Sequence, residues 1–240
     1  MMYRTVLVFE IDINDFRECI NIFFCLLNKE EKQRSEAFSL IDLKEKFIIR
    51  RGILRCLISQ FNSERPNLVR FIYNEYGKPM LEKGSSIYFN LSHSNEKVVY
   101  AFAYDCSIGI DIEYKRPFHD LLNIARESCT PDEYKIISGL ETQYEQLNLF
   151  YDIWAAKEAL SKAIGQGLSY PINTIEIINK KSSYPRMIVK DRFKTYWWIN
   201  CFQVIKNYSC ALALQKPYKL QYQSLKPETI IDYYRKVSTN

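Results

Sequence analysis

The sequence predicts an α+β protein of two similar lobes. Helical and strand periodicities alternate in blocks, both kinds occur in each half, and no low-complexity linker interrupts the chain. The lobes are expected at residues 1–107 and 108–240, packed tightly as one unit. A strand is read at 3–11, followed by helical patterns at 14–27, 29–39 and 42–60, the last rich in Leu, Ile and Arg. From Val69 the pattern changes to short β-type runs at 69–73, 87–91, 97–104 and 108–114. Gly77-Lys78-Pro79, Ser92 to Glu96 and Asp105 to Ser107 separate them as turns. Helices are expected at 119–126, 130–139 and 142–165, the second with Thr130 as N-cap and Pro131 in the first helical position. Strand runs at 174–179, 185–190, 195–204 and 208–214 follow, and Lys226-Pro227-Glu228 breaks into a short final helix.

Composition narrows the function classes. Of 240 residues, 47% are hydrophobic and 15% aromatic, enough for a core and against a disordered chain. Lys and Arg number 33 against 28 Asp and Glu, a formal charge of +5 that suits acidic partners or phosphate-bearing ligands. The positive charges are interleaved with acids and no nucleic-acid module is recognisable, so no nucleic acid is expected as partner. The seven cysteines contain no Cys-x-x-Cys pair for zinc or dithiol chemistry and read as small buried hydrophobes in a reducing cytoplasm. Asn21 and Asn28 interrupt the best apolar run, and Glu10 and Asp12 follow the first one closely, so neither a membrane span nor a secretory signal is expected.

Three constellations carry candidate chemistry. In Ser107-Ile108-Gly109-Ile110-Asp111-Ile112-Glu113, alternation puts the isoleucines on one strand face and Gly109, Asp111 and Glu113 on the other. Carboxylates two residues apart lie roughly 6.5–7 Å apart along a strand, a separation one hard cation can bridge. The bland alternative is a half-buried strand with a solvated acidic face. In the helical run Trp154 to Gly165, Ala155, Ala156, Ala159, Leu160 and Ala163 share one face and Lys157, Glu158, Ser161 and Lys162 the other. Glu158 and Lys162 stand at i and i+4, where a surface ion pair is the ordinary reading. Phe89-Asn90-Leu91-Ser92-His93-Ser94 ends an apolar strand in hydroxyls and one of only two histidines, suited to a phosphate or simply to a hairpin turn. Ser92 beside His93 lacks the Gly-x-Ser-x-Gly elbow of a serine hydrolase. Lys32, Arg34, Lys46, Arg50, Arg51 and Arg55 on the early helices and Lys78 in a turn add cations suited to several phosphates.

Taken together, Tyr76-Gly77-Lys78-Pro79, Phe89 to Ser94, Ile108 to Glu113 and Trp154 to Gly165, with Gly167-Leu168 after it, resemble the Sfp-type 4′-phosphopantetheinyl transferases over nearly the whole chain. The resemblance implies the fold of that family, two α+β halves related by a pseudo-twofold with coenzyme A between them. It also implies transfer of the 4′-phosphopantetheine arm of coenzyme A to a serine of an apo acyl or peptidyl carrier protein, releasing 3′,5′-ADP. On matching positions, Asp111, Glu113 and Glu158 would bind Mg²⁺, or Mn²⁺ in its place, and Lys162 would sit beside the scissile linkage with Glu158 as base. Ser92 and His93 would contact phosphate, Lys78 and Lys46 the adenosine-side phosphates, and Lys157 and Glu133 the pyrophosphate or the pantetheine arm. Of the second helix, Arg34 alone, or with Lys32, can serve the 3′-phosphate. The enzyme is expected to act as a cytoplasmic monomer on an acidic helical carrier of fatty acid, polyketide or nonribosomal peptide biosynthesis. Phe118, Leu121 and Leu122 are candidates for the docking patch or, equally, for the core. A non-catalytic binding module for coenzyme A or a nucleotide phosphate is the alternative.

Overall fold

The computed structural model describes residues 4–82, 84–177, 186–190 and 194–238. The chain is α+β. Its strands are β1 (Arg4–Asp12), β2 (Phe71–Tyr73), β3 (Pro79–Leu81), β4 (Ile87–Ser94), β5 (Lys97–Tyr104), β6 (Ile108–Tyr114), β7 (Arg186–Lys190), β8 (Tyr196–Phe202), β9 (Tyr208–Leu214) and β10 (Tyr218–Ser224). Its helices are α1 (Ile20–Leu26), α2 (Lys29–Glu36), α3 (Ile41–Asn62), α4 (Leu121–Ser128), α5 (Pro131–Ser138), α6 (Gln143–Ile164) and α7 (Pro227–Ser238). The strands form sheets in the orders β10-β1-β5-β4, β2-β3 and β6-β9-β8-β7.

Most boundaries follow local chemistry. Thr130 and Thr142 open α5 and α6 with capping boxes closed by Glu133 and Glu145, and Gly165 ends α6 in a left-handed conformation (φ 87°). Several expectations fail: the first helical pattern begins as a 3₁₀ helix (Ile13–Cys19), and β3 begins at Pro79, where a turn was expected. Residues 172–174 form a short 3₁₀ turn and 175–177 are not a strand, while 178 and 179 lie outside the described residues. β10 was not among the expected runs, although Tyr218, Leu220 and Tyr222 alternate with Lys219, Gln221 and Gln223.

Contacts divide the chain into two compact units, one of residues 1–8, 72–95 and 99–221, the other of 9–71, 96–98 and 222–240. These ranges interleave, unlike the contiguous halves 1–107 and 108–240. In the smaller unit α3 carries the core, and Gly52 lets it approach α1 so closely that an added Cβ would lie 2.5 Å from Phe23 Cβ. Its Arg55, fully buried, pairs with Glu31 at 2.8 Å and donates to the carbonyls of Pro66 and Val69.

In the larger unit α6 lies against β6, β9 and β8. The contact is built from small residues: Ala155, Ala156, Ala159 and Ala163 of the helix, and Ala211 and Ala213 of β9, are all buried in one cluster. β6 and β9 pair antiparallel with Gly109 opposite Ala213 and Asp111 opposite Ala211. Small side chains bring the helix axis close to the sheet, and Gly109 is the tightest point. A Cβ there would overlap Ala159 O and Ala163 N, both fixed backbone atoms. Gly109→Ala is therefore expected to cost about 3 kcal/mol, the upper end for overpacking. Urea denaturation midpoints measure it, and an unchanged midpoint would show that the strand and helix yield freely.

Candidate active site

β4 offers Asn90, Ser92 and Ser94, each two residues apart and so on one face, to the neighbouring edge of β6. Asn90 Oδ1 accepts the Ile110 N–H (3.0 Å) and Ser94 Oγ accepts the Tyr114 N–H (3.0 Å). Polar side chains here do the work of ladder partners, so β6 is anchored on that edge without a backbone pair.

Asp111 projects from this strand at only 2% exposure. Its Oδ1 accepts the Ser92 hydroxyl (2.8 Å) and the Lys162 ammonium (2.6 Å), and Lys162 Nζ also donates to Ser92 Oγ (2.8 Å). A buried carboxylate persists only when paired and hydrogen-bonded, and this triangle supplies both for one oxygen. The other, Oδ2, is buried with no hydrogen-bond partner.

Two more carboxylates feel the charge of Asp111. Glu113 accepts Trp154 Nε1–H at Oε1 (3.2 Å) and the Ser94 hydroxyl at Oε2 (3.4 Å). Burial, and then repulsion from Asp111, push its pKa up from the ordinary 4.5 to about 7, with Trp154, Lys162 and Ser94 opposing. Glu158 of α6 is raised for the same two reasons, burial first and Asp111 second, against the pull of Lys162. Three acids thus share one partly buried field with one lysine. Among the described residues no three His, Cys, Asp or Glu side chains stand close enough to form a ready-made metal cage. The donor chemistry nevertheless fits a hard divalent cation: all candidates are oxygens, one buried oxygen lacks a partner, and two acids are raised by burial and then by the charge of Asp111.

The structure corrects several readings of the sequence. The acidic face of β6 is not solvated: residues 108–112 are buried and Glu113 is half-buried, because α6 covers that face. The polar side of α6 is not a surface either, since Lys157 and Ser161 are each 1% exposed. Lys162 pairs with Asp111 rather than with Glu158. Lys157 Nζ bonds Glu133 (2.7 Å) and Ser128 O (3.0 Å), while Glu133, fully buried, caps α5 and accepts the Ile177 N–H. Both are engaged by partners inside the core. Lys157→Met strands the Glu133 carboxylate and is expected to lower stability by about 3–5 kcal/mol, read as a lowered melting midpoint. A midpoint near wild type would refute this.

Lys78 also turns inward. Its Nζ donates to the carbonyls of Lys162 (2.6 Å), Ile108 (3.1 Å) and Ala163 (3.3 Å), and burial lowers its pKa from 10.5 to about 8. His93 is exposed, next to but facing away from buried Ser92. Lys46 and Arg34 belong to the smaller unit. There Lys46 pairs with Glu96 (2.6 Å) and Asp42 (3.0 Å), and Arg34 lies over the Phe47 ring at 5.3 Å. Leu121 is core, and Phe118 and Leu122 pack against it while lining a 540 Å³ groove with Tyr144 and Leu147.

Ser92, Asp111 and Lys162 therefore meet directly, with Glu113 and Glu158 in the same field. Trp154, Ser94 and Asn90 lay within the sequence motifs but had been given no role. The signals were present: Trp154, Glu158 and Lys162 recur every four residues on α6, and Asn90, Ser92 and Ser94 every two on β4.

The sequence that builds this arrangement, an α-helix laid over an antiparallel sheet with acids on the strand and an acid and a lysine on the helix, is similar to known proteins. The profile of the 4′-phosphopantetheinyl transferase superfamily covers residues 107–213, from the start of β6 to β9. The 4′-phosphopantetheinyl transferase gsp of Aneurinibacillus migulanus is 31% identical over 195 residues, 80% of this chain and 78% of its own. The 4′-phosphopantetheinyl transferase Sfp of Bacillus subtilis is 27% identical over 81% of this chain and 85% of its own. The 4′-phosphopantetheinyl transferase HetI of a Nostoc species is 36% identical over 63% of this chain, and the match spans 64% of that relative, just under two thirds. The chain belongs to the 4′-phosphopantetheinyl transferase family. Its likeness to gsp and Sfp spans about four fifths of the chain, more than the superfamily match over residues 107–213, as the Sfp-type resemblance implied.

Proposed function

We propose that this chain transfers the 4′-phosphopantetheine arm of coenzyme A to a serine hydroxyl of an apo acyl or peptidyl carrier protein, releasing 3′,5′-ADP. The observation that carries the reading is the Ser92–Asp111–Lys162 triangle with Glu113 and Glu158 beside it, in a chain of this family. The reaction is a displacement at phosphorus: the serine oxygen forms a bond to the β-phosphate while the bond from that phosphorus to the oxygen of 3′,5′-ADP breaks. Its obstacle is negative charge on both sides of the reacting bond.

Asp111, Glu113 and Glu158 are read as the residues that would hold Mg²⁺ or Mn²⁺, and the Asp111 Oδ2, buried without a hydrogen-bond partner, would be open to it. When bound, that ion supplies the positive charge that a pyrophosphate needs to accept a nucleophile. Glu158, raised above the ordinary carboxylate range, is matched to take the serine proton as the new bond forms. Lys162 keeps its ammonium beside Asp111 and Ser92, about a quarter exposed (28%), and offsets charge on the leaving phosphate. Ser92 orients both partners. The 540 Å³ groove lined by Phe118, Leu122 and Tyr144, with Tyr144 75% exposed, is read as the seat of the carrier, and the +5 charge favours an acidic one.

The protein is read as a cytoplasmic monomer with neither a nucleic-acid nor a membrane partner. All seven cysteines are free, five of them buried, with Cys25 exposed and Cys19 half-buried. No described helix is long and apolar enough to cross a membrane. The deciding test incubates the protein with coenzyme A, Mg²⁺ and a panel of fatty acid, polyketide and nonribosomal peptide carriers. Intact mass should show one phosphopantetheine added to at least one carrier serine. Coenzyme A binding with no carrier modified would favour a binding module instead.

A further inference from the structure

We propose that Lys78 is a positioning residue: it fixes the end of α6 to the start of β6 and thereby holds Lys162 against Asp111. The kinetic consequence rests on the transferase reading above, but the clamp itself does not.

A helix leaves its last carbonyls without intrahelical donors. At the end of α6, Gly165 N–H returns to Ser161 O (2.8 Å), and the next two carbonyls, of Lys162 and Ala163, are taken by Lys78 Nζ. Asn74 Nδ2 takes the carbonyl of Gly165 (2.7 Å). An ammonium is also the charge that the C-terminal end of a helix dipole favours. Its third contact is Ile108 O, on the first residue of β6. The three N–H groups of Lys78 are thus matched by three carbonyls from two elements.

The bracket is itself rigid. Asn74 Oδ1 accepts the N–H of Tyr76 (3.0 Å) and of Lys78 (2.8 Å), closing the turn, and Gly77 adopts φ 80° within it. Gly165, at φ 87°, lies close under it: an added Cβ would lie 3.1 Å from Asn74 Nδ2 and 3.4 Å from Lys78 Cδ. The geometry links this bracket to the chemistry by one residue. Lys162 offers its carbonyl to Lys78 and its ammonium to Asp111, while Asp111 stands three residues beyond Ile108. A slip of α6 along β6 must break contacts at both ends. The same geometry argues against Lys78 as a phosphate ligand, because binding one would surrender these bonds and bare the helix end.

The two roles separate kinetically. A phosphate contact shows in KM for coenzyme A, whereas misplacement of Lys162 shows in kcat. Lys78→Met is expected to lower kcat about 30-fold with KM for coenzyme A changed less than about twofold, and Lys78→Arg to recover most of kcat. Hydrogen–deuterium exchange without ligand should quicken at residues 108–111 and 162–165 in Lys78→Met, recover in Lys78→Arg, and stay unchanged in β8. Where Lys78→Met does not fold, Asn74→Ala, which frees the Gly165 carbonyl and the Tyr76 and Lys78 N–H groups that close the turn, should give the same pattern with kcat down about fivefold. A KM raised about tenfold at unchanged kcat, or unaltered exchange at 108–111, would overturn the proposal. If the wild type modifies no carrier, the transferase reading fails, and the exchange data alone still decide the clamp.

Discussion

Asp111→Asn is expected to reduce transfer by about 10³-fold while leaving a folded chain. Asn preserves the size of the side chain and an oxygen to accept the Ser92 and Lys162 bonds, so the contact with α6 survives in weaker form. What it removes is charge. Lys162 loses the partner that fixes its ammonium, and Glu113 and Glu158 lose the repulsion that helps raise them, so both move back toward the ordinary carboxylate range. The candidate base is then weakened and the oxygen set is one anion short. Glu158→Gln should match this loss by a different route. It leaves the Asp111–Lys162 bond untouched and abolishes only proton acceptance and one oxygen charge. Initial rates of carrier mass gain, with circular dichroism melting as the folding control, check both. Wild-type turnover in either folded variant would remove that residue from the mechanism.

The triangle behind this prediction was readable in the sequence as types and spacings but not as contacts. Alternation along 108–113 correctly placed Gly109, Asp111 and Glu113 on one face, because strand periodicity is fixed by backbone geometry. What lay over that face could not be read: α6 covers it, which follows from alanines on α6 meeting alanines on β9, two segments about fifty residues apart. For the same reason the helix run 154–165 looked amphipathic, yet on its polar side Lys157 and Ser161 are buried and Glu158 and Lys162 half-buried. Lys157 is polar by type but sits opposite Glu133 of α5, and only tertiary structure reveals that pairing. Lys78 taught the converse. Its place in a turn suggested a cation for phosphates, while the carbonyls it serves belong to residues 108, 162 and 163. The start of α5, with Thr130 as its cap and Pro131 in its first position, was local and therefore legible.

Removing divalent cations with a chelator is expected to abolish transfer, and stability should report the same ion through pH. Glu113 titrates near 7 in the folded chain against about 4.5 when unfolded, and Glu158 shifts in the same direction. A folded-state acid with a raised pKa binds its proton more tightly than the unfolded one. Its contribution to stability is complete below about pH 4.5 and is lost as pH climbs through about 7. Without a divalent cation, the melting midpoint contribution of this cluster should therefore fall across that window, as ionised Glu113 and Glu158 are forced together with Asp111. An Mg²⁺ ion held by the ionised oxygens, as proposed, would stabilise the folded chain by mass action. The rise in melting midpoint on adding Mg²⁺ should accordingly be small at pH 5 and large at pH 8. Asp111→Asn should lose most of that rise and flatten the pH dependence attributable to its two neighbours. An equal Mg²⁺ effect at both pH values, or one that survives Asp111→Asn, would place the ion elsewhere and leave the raised acids as a strain that burial alone imposes on β6 and α6.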